Sequence, residues 1–314
     1  MKNKRLILKS KTLHIEVMRN ERLYWWKDEK NFGDFASFYL VSHLAKNKIK
    51  WAFPQTCIHI DFMNFLRSIK HRRKFRLSDY SGYIFPWSKS MFAIGSIMDF
   101  ANYKTVVWGS GYREYDSRYK HTKVMAVRGK LSLEKIPQKE RTGIALGDPG
   151  LLLPLIYDIP QIQSKVVTII PHFVDYDYFK EKYGNVYEVL DVRTDDLECM
   201  IDKIRQSKFI LSSSLHGLIF AHAYGIPALW VKHGYVNSSD FKYYDYFSGV
   251  NIPFYNPEVN DEMILKSLQS VKEYFQKMQN FSLVDKTYLV KIQMGLLKSF
   301  PFELKDKYKC LINR

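Results

Sequence analysis

At 314 residues the chain is long enough for two domains of ordinary size, and 46% hydrophobic residues exclude a disordered polymer. A formal charge of +16 restricts the partners to anions: nucleic acid, an anionic membrane surface or a phosphorylated substrate. Nucleic acid drops out, because no recognition-helix pattern, zinc-finger spacing or RNA-binding aromatic signature occurs. Cys57, Cys199 and Cys310 form no CxxC, so neither a disulfide framework nor a cysteine zinc site is expected. The basic amino terminus lacks an apolar signal-peptide core, and no run approaches the ~20 apolar residues of a membrane span. A cytoplasmic protein is expected, with peripheral attachment at the inner membrane face as the alternative. The 16% aromatic residues suit a sugar-facing surface, a tyrosine-rich core or a membrane-facing patch.

In chain order, strands are predicted at Leu13–Met18, Leu23–Trp26, Met91–Ile94, Thr105–Trp108, Val124–Val127, Val166–Ile170, Val186–Leu190, Phe209–Leu211 and Ala228–Val231. Helices are predicted at Asp34–Lys46, Asp61–His71, Leu131–Lys135, Pro149–Tyr157, Asp195–Ser207, Leu215–Tyr224, Asp261–Gln279 and Leu283–Ser299. Asp34, Asp148 and Thr194 are the expected caps. The basic run Lys70–Arg76 reads as a solvated face, with contact to a membrane or a diphosphate lipid as its second reading. The alternation argues for an α/β chain: two Rossmann-like domains facing across a cleft. The polar stretch Asp158–Lys165 sets the boundary, giving an N-terminal domain 1–158 and a C-terminal domain 159–314.

Five motifs fall where a strand hands over to a helix, the side of a parallel sheet where ligands bind. Asn31-Phe32-Gly33-Asp34 reads as a capped turn or a close backbone approach to a ligand. Gly109-Ser110-Gly111 follows a strand and leaves main-chain N–H groups open to an anion, or is a plain turn; Gly95-Ser96 repeats the theme. Arg128 can grip a carboxylate or phosphate with its fork, or pair with a neighbouring acid. His172 stands at the carboxyl edge of the second sheet, where a structural histidine is the bland alternative. The strongest candidate is Ser212-Ser213-Ser214-Leu215-His216-Gly217, where an imidazole and hydroxyls meet a helix amino terminus.

NFGD, WGSG, AVRG, LGDPGLLLP, PHFVD and SSSLHGLIFAHAYGIP occur in that order, and with that set the chain resembles the polysaccharide pyruvyltransferase family over roughly residues 23 to 235. The resemblance implies a GT-B-like fold and transfer of the pyruvyl group of phosphoenolpyruvate to two hydroxyls of a sugar, closing a cyclic ketal and releasing phosphate. The acceptor is then a surface polysaccharide or its lipid-linked precursor, with phosphoenolpyruvate as co-substrate, no cofactor and no metal cluster in view. Residue by residue, it implies that Arg128 grips the donor and that His216 binds it and moves protons. Many relatives carry arginine where this chain has Ser214, so part of the phosphate grip is expected from Arg113, Lys130, Lys232 or the hydroxyls.

The chemistry needs an acid near neutrality to protonate the enol methylene, and histidine fits. His216 is therefore the expected acid/base, with Asp34 and His172 to activate the hydroxyls. Arg128, Ser212, Ser213, Ser214, Leu215, Gly217, Asn31, Gly33, Gly109, Ser110, Gly111 and Arg113 are the expected substrate contacts. Two other readings stay open. A GT-B-like glycosyltransferase would take a nucleotide sugar, and a non-catalytic glycan- or anionic-surface-binding protein would keep its activity when His216 is replaced by alanine.

Overall fold

Short apolar runs bounded by turn residues bury both faces when they pair as parallel strands. The computed structural model, which describes residues 21–52, 89–160, 164–233 and 239–312, assembles them into two such sheets. The first contains β1 (Glu21–Tyr24), β2 (Ile49–Trp51), β3 (Ser90–Phe92), β4 (Thr105–Trp108), β5 (Lys123–Val127) and β6 (Ala145–Leu146), in the order β2-β1-β3-β4-β5-β6. The second contains β7 (Lys165–Ile170), β8 (Glu188–Val189), β9 (Ser207–Ser212) and β10 (Ala228–Trp230), in the order β10-β9-β7-β8. Every pairing within them is parallel. The chain is thus an α/β protein of Rossmann-like character.

The helices are α1 (Phe32–Leu44), α2 (Lys130–Glu134), α3 (Tyr176–Tyr183), α4 (Leu197–Arg205), α5 (Leu215–Ala223), α6 (Phe241–Val250), α7 (Asp261–Leu265), α8 (Leu268–Lys277), α9 (Lys286–Lys298) and α10 (Asp306–Ile312). The predicted strand Leu13–Met18, the helix Asp61–His71, the basic run Lys70–Arg76 and Cys57 lie outside the described residues. Cys199 and Cys310 are free and exposed.

Several boundaries move for identifiable reasons. Asn31, not Asp34, caps α1: its side chain accepts from the Gly33 N–H, and Asp34 falls inside the first turn. Asp196 replaces Thr194 as the cap of α4, accepting from the Cys199 N–H. Ser207 leaves that helix and opens β9, where its hydroxyl donates to Thr168. Pro149–Leu155 winds as a 3₁₀ helix capped by Asp148, which accepts from Gly150. The long helix predicted over Asp261–Gln279 breaks in two, because Ser267 is extended and caps α8 through the Ser270 N–H.

One buried apolar cluster runs from Leu23, Ala36 and Leu40 through Leu151–Leu153 to Ile169, Leu211, Leu218 and Ile219, so the two sheets share it. Its centre is α5, a helix apolar all round and therefore buried all round. Phe220 of α5 meets Phe32 of α1 edge-on at 5.2 Å, a contact of about 0.5–1.5 kcal/mol that brings two helix amino termini together. Helix α9 closes the far side, where Leu296 O accepts from the Trp108 indole at 2.9 Å.

Candidate functional site

The amino termini of α1 and α5 abut. A Cβ on Gly33 would run into the His216 imidazole, so the first turn of α1 must be glycine there for the ring to lie flat against it. The His216 ring also stacks on Phe220, and its Nε2 is buried without a hydrogen-bond partner among the described residues. Ser214 precedes α5 as its N-cap but makes no capping hydrogen bond, so the first-turn N–H groups stay open. The amino terminus of α5, without a capping side chain, has a polarity that favours an anion. Replacing Gly33 with alanine should displace the imidazole at a cost of about 1–3 kcal/mol. Thermal melts should show the protein folded, and a turnover assay should show most activity gone.

The site is crowded with positive charge. Helix α6 brings Lys242, which makes no hydrogen bond or ion pair with any described residue and lies 5.1 Å from the Tyr243 ring centroid. Burial first, then Arg128 and Arg113, push its ammonium down to about 8. Burial, Lys242 and Arg128 together push His216 down to about 3. His172 falls to about 4 through burial, Lys242 and Arg113. Asp34 moves the other way: burial lifts its carboxyl to about 7, with Lys242 opposing. Lys242 is the common neighbour in all three shifts. Where a histidine poised near neutrality is expected, burial and neighbouring cations push the imidazole of His216 well down, while burial lifts the carboxyl of Asp34 to about 7.

Arg128 does not present a free fork. The side chain is fully buried, and Asp245 of α6 takes its Nε at 3.0 Å and Nη2 at 2.9 Å. Its Nη1 donates to Ser96 at 2.6 Å and its Nη2 to the Tyr112 carbonyl at 2.7 Å. Asp245 in turn accepts from the Ser132 N–H and hydroxyl, both at 2.7 Å. Arg128 therefore acts on the site by its field while it anchors α6. Asp148 lies fully buried nearby, its Oδ2 unpartnered among the described residues. Burial foremost, with Asp245 adding, raises its carboxyl to about 7 against the pull of the Gly150 N–H and Arg128.

The small residues after β4 serve packing. The Gly109 and Gly111 N–H groups already donate to the Ala126 and Gly95 carbonyls, so they are closed to a ligand. Gly109 adopts φ +87 against Pro149, and Gly111 lies on the Arg128 guanidinium and Asp245. Ser110 is fully buried and donates to the Gly95 carbonyl. Ser212 and Ser213 have committed hydroxyls too: Ser212 donates to the Ile170 carbonyl, and Ser213 donates to Asp175 and accepts from the His172 N–H. Leu215 and Gly217 are buried in the packing of α5, Gly217 against Ile170. Of the cations expected to replace the missing arginine, Lys232 is held by Asp240 and Lys130 donates to Asn251. Arg113 pairs with Glu114 at 3.3 Å and still reaches His172 and Lys242 electrostatically.

Lys242 is the residue that motif reading missed. The available signal was one lysine inside the aromatic run Phe241–Phe247, a charge that burial would make conspicuous. Among the described residues no group of three His, Cys, Asp or Glu could hold a metal ion, and no helix is long and apolar enough to cross a membrane.

Two parallel sheets define an α/β protein of Rossmann-like character in which Lys242 acts electrostatically on Asp34, His172 and His216. Residues 30–235 match the polysaccharide pyruvyl transferase family, and the chain belongs to it. It is therefore a transferase of polysaccharide pyruvylation. A curated relative, the uncharacterized protein L143 of Acanthamoeba polyphaga mimivirus, is 30% identical over 239 residues, covering 68% of this chain and 80% of its own length. A solved structure, the functionally uncharacterized protein KP1_0663 of Klebsiella pneumoniae subsp. pneumoniae NTUH-K2044, aligns over 76% of this chain and 89% of its own, at 13% identity and a TM-score of 0.33.

Proposed function

We propose that the protein moves the pyruvyl group of phosphoenolpyruvate onto two hydroxyls of a sugar, in a polysaccharide or its lipid-linked precursor at the inner membrane face, as a cyclic ketal. The observation that carries this reading is Lys242, partly buried, without a hydrogen bond or ion pair among the described residues, and near enough to His216 at the uncapped end of α5 to lower its pKa. A site that holds an ammonium, two arginines and open helix N–H groups together is relieved by a small dense anion. The two sheets would then be the cores of a GT-B-like pair of domains divided near residue 158, with the donor held where they meet.

In this scheme Lys242 and the α5 amino terminus hold the phosphate, and the field of Arg128 adds to the pull on the carboxylate. Asp34, protonated near neutrality, gives its proton to the enol methylene, which becomes the methyl group. The first sugar hydroxyl bonds to the carbon bearing carboxylate, its proton passing to the neutral imidazole of His216 or His172. The carbon–oxygen bond to phosphate breaks, and the second hydroxyl closes the ring. Of the two hydroxyl protons, one replaces that lost by Asp34 and the other leaves with phosphate, so the balance closes. Acid and base thus exchange the roles expected from sequence, because burial moves carboxyl and imidazole in opposite directions.

Phosphate release from phosphoenolpyruvate in the presence of pyranoside acceptors, with no nucleotide sugar added, tests the reading; no release with any acceptor would overturn it. Lys242→Met should weaken phosphoenolpyruvate binding by about 1.5–3 kcal/mol, ten- to a hundred-fold, as read by calorimetry. Binding should also draw protons from solvent. A trianion beside His216, Lys242 and Asp34 raises all three pKa values, so the complex holds more protons than the free protein and affinity falls as pH rises. Calorimetry in buffers of different ionisation enthalpy should report net uptake at pH 7.5, and net release would contradict the assignment.

A further inference from the structure

A cavity of about 380 Å³ is lined by Trp26, Asp28, Glu29, Lys30, Asn31, Asp34 and Phe173. Its volume falls in the ~300–1,000 Å³ range of small-molecule sites. Two features mark it as a place for a ligand. Trp26 is 41% exposed, an unusual state for the largest aromatic side chain, and it shares the cavity wall with Phe173. Asp34 lines the same cavity, mostly buried, with no hydrogen bond or ion pair to any described residue. Aromatic faces accept the C–H faces of a pyranose, and carboxylates accept from its hydroxyls.

The charge of this cavity is opposite to that of the donor site. Asp28 and Glu29 supply two carboxylates and Asp34 a carboxyl that burial lifts to about 7, whereas the one lining cation, Lys30, is paired with Asp195 at 3.1 Å. Asn31 turns its Oδ1 to the Gly33 N–H, so its amide NH₂ remains as a donor. A sugar bearing its own carboxylate or phosphate would meet like charge at close range, an element of discrimination against the wrong acceptor.

We propose that the cavity walled by Trp26 and Phe173 is the acceptor subsite, and that the sugar unit it receives is an uncharged pyranose, stacked on Trp26 with its hydroxyl pair toward Asp34. The inference rests on the pyruvyl-transfer reading for the meaning of the ligand, but sugar binding can be measured without any donor. The test is saturation-transfer NMR on the full chain, without phosphoenolpyruvate, using methyl glycosides of glucose, galactose and mannose beside those of glucuronic and galacturonic acid. Transfer to at least one neutral glycoside is expected, at least ten-fold stronger than to the matched uronoside, and it should vanish in Trp26→Ala. Glu29→Gln should narrow the difference between the pair. Equal or stronger transfer to uronosides, unchanged transfer in a folded Trp26→Ala protein, or no transfer to any of the sugars would overturn the proposal. A phosphoenolpyruvate thermal shift on the same samples reports the donor site alone. Its absence while neutral sugars bind would sink the donor reading and leave this subsite standing.

Discussion

Asp245→Ala is expected to lower the unfolding free energy by about 3–5 kcal/mol, measured by urea denaturation. The substitution leaves the Arg128 guanidinium fully buried with Nε and one Nη2 donor unmet, and it strips two acceptors from Ser132. An uncompensated buried charge is the expensive term; the net value of the intact pair is smaller. Replacing both partners with leucine should therefore recover part of the loss, and the double variant should be more stable than Asp245→Ala alone. If the single variant melts like the wild type, the pair does not anchor α6.

The pair has a functional consequence through helix geometry. Lys242 and Asp245 are three apart on α6, so they lie on one side of the helix. Fixing Asp245 against Arg128 and Ser132 fixes where the Lys242 ammonium can reach. Tyr243 adds a second tie, donating to the Ser213 carbonyl at 2.6 Å in the loop that precedes His216. The Ser248 hydroxyl, which accepts from the Lys130 N–H at 2.8 Å, adds a third. Helix α6 follows the last strand of the second sheet yet binds the loops of the first, and so holds the two sides of the site in register. Folded Asp245→Ala protein should accordingly bind phosphoenolpyruvate more weakly than the wild type.

How much of this is legible in the sequence depends on whether the signal is local. Strand ends, helix starts and the Asp148 cap are local events, and most of the predicted elements stand within a few residues of their predicted ends. The site's location is legible for the same reason, because Gly33, Asp34, Arg128, His172 and His216 each follow a strand. The partners are not. Arg128 and Asp245 are 117 positions apart, and nothing near either reveals that the fork is already occupied. Helix α6 escaped because Phe241–Val250 is rich in Tyr and Phe, residues of strand propensity, and Asp240 makes no capping bond to announce it. Its stop is readable afterwards in Asn251, which takes φ 57. The strand β6 is two residues long, too short for any periodicity. The GSG turn misled because glycines that admit a ligand and glycines that admit a guanidinium look alike in sequence.

Asp34→Asn is expected to cut turnover by about 10²- to 10⁴-fold, the usual contribution of a positioned acid. The same change should make the free protein more stable at pH 8, by about 1–3 kcal/mol. Both follow from one fact, that burial raises this carboxyl from 3.8 to about 7. A raised folded pKa means that the folded chain holds the proton more tightly than the unfolded one. Protonation therefore supports folding fully below about pH 4, and that support is lost as pH climbs through 7. At pH 8 the wild type carries a buried carboxylate with no described partner, and asparagine removes that charge at nearly the same shape. The gain should shrink at pH 5, where most of the wild-type carboxyl is already neutral, so urea curves at the two pH values separate loss of charge from a change in packing. An Asp34→Asn protein that turned over normally, or was no more stable than wild type at pH 8, would remove Asp34 from the role of acid and return that task to an imidazole.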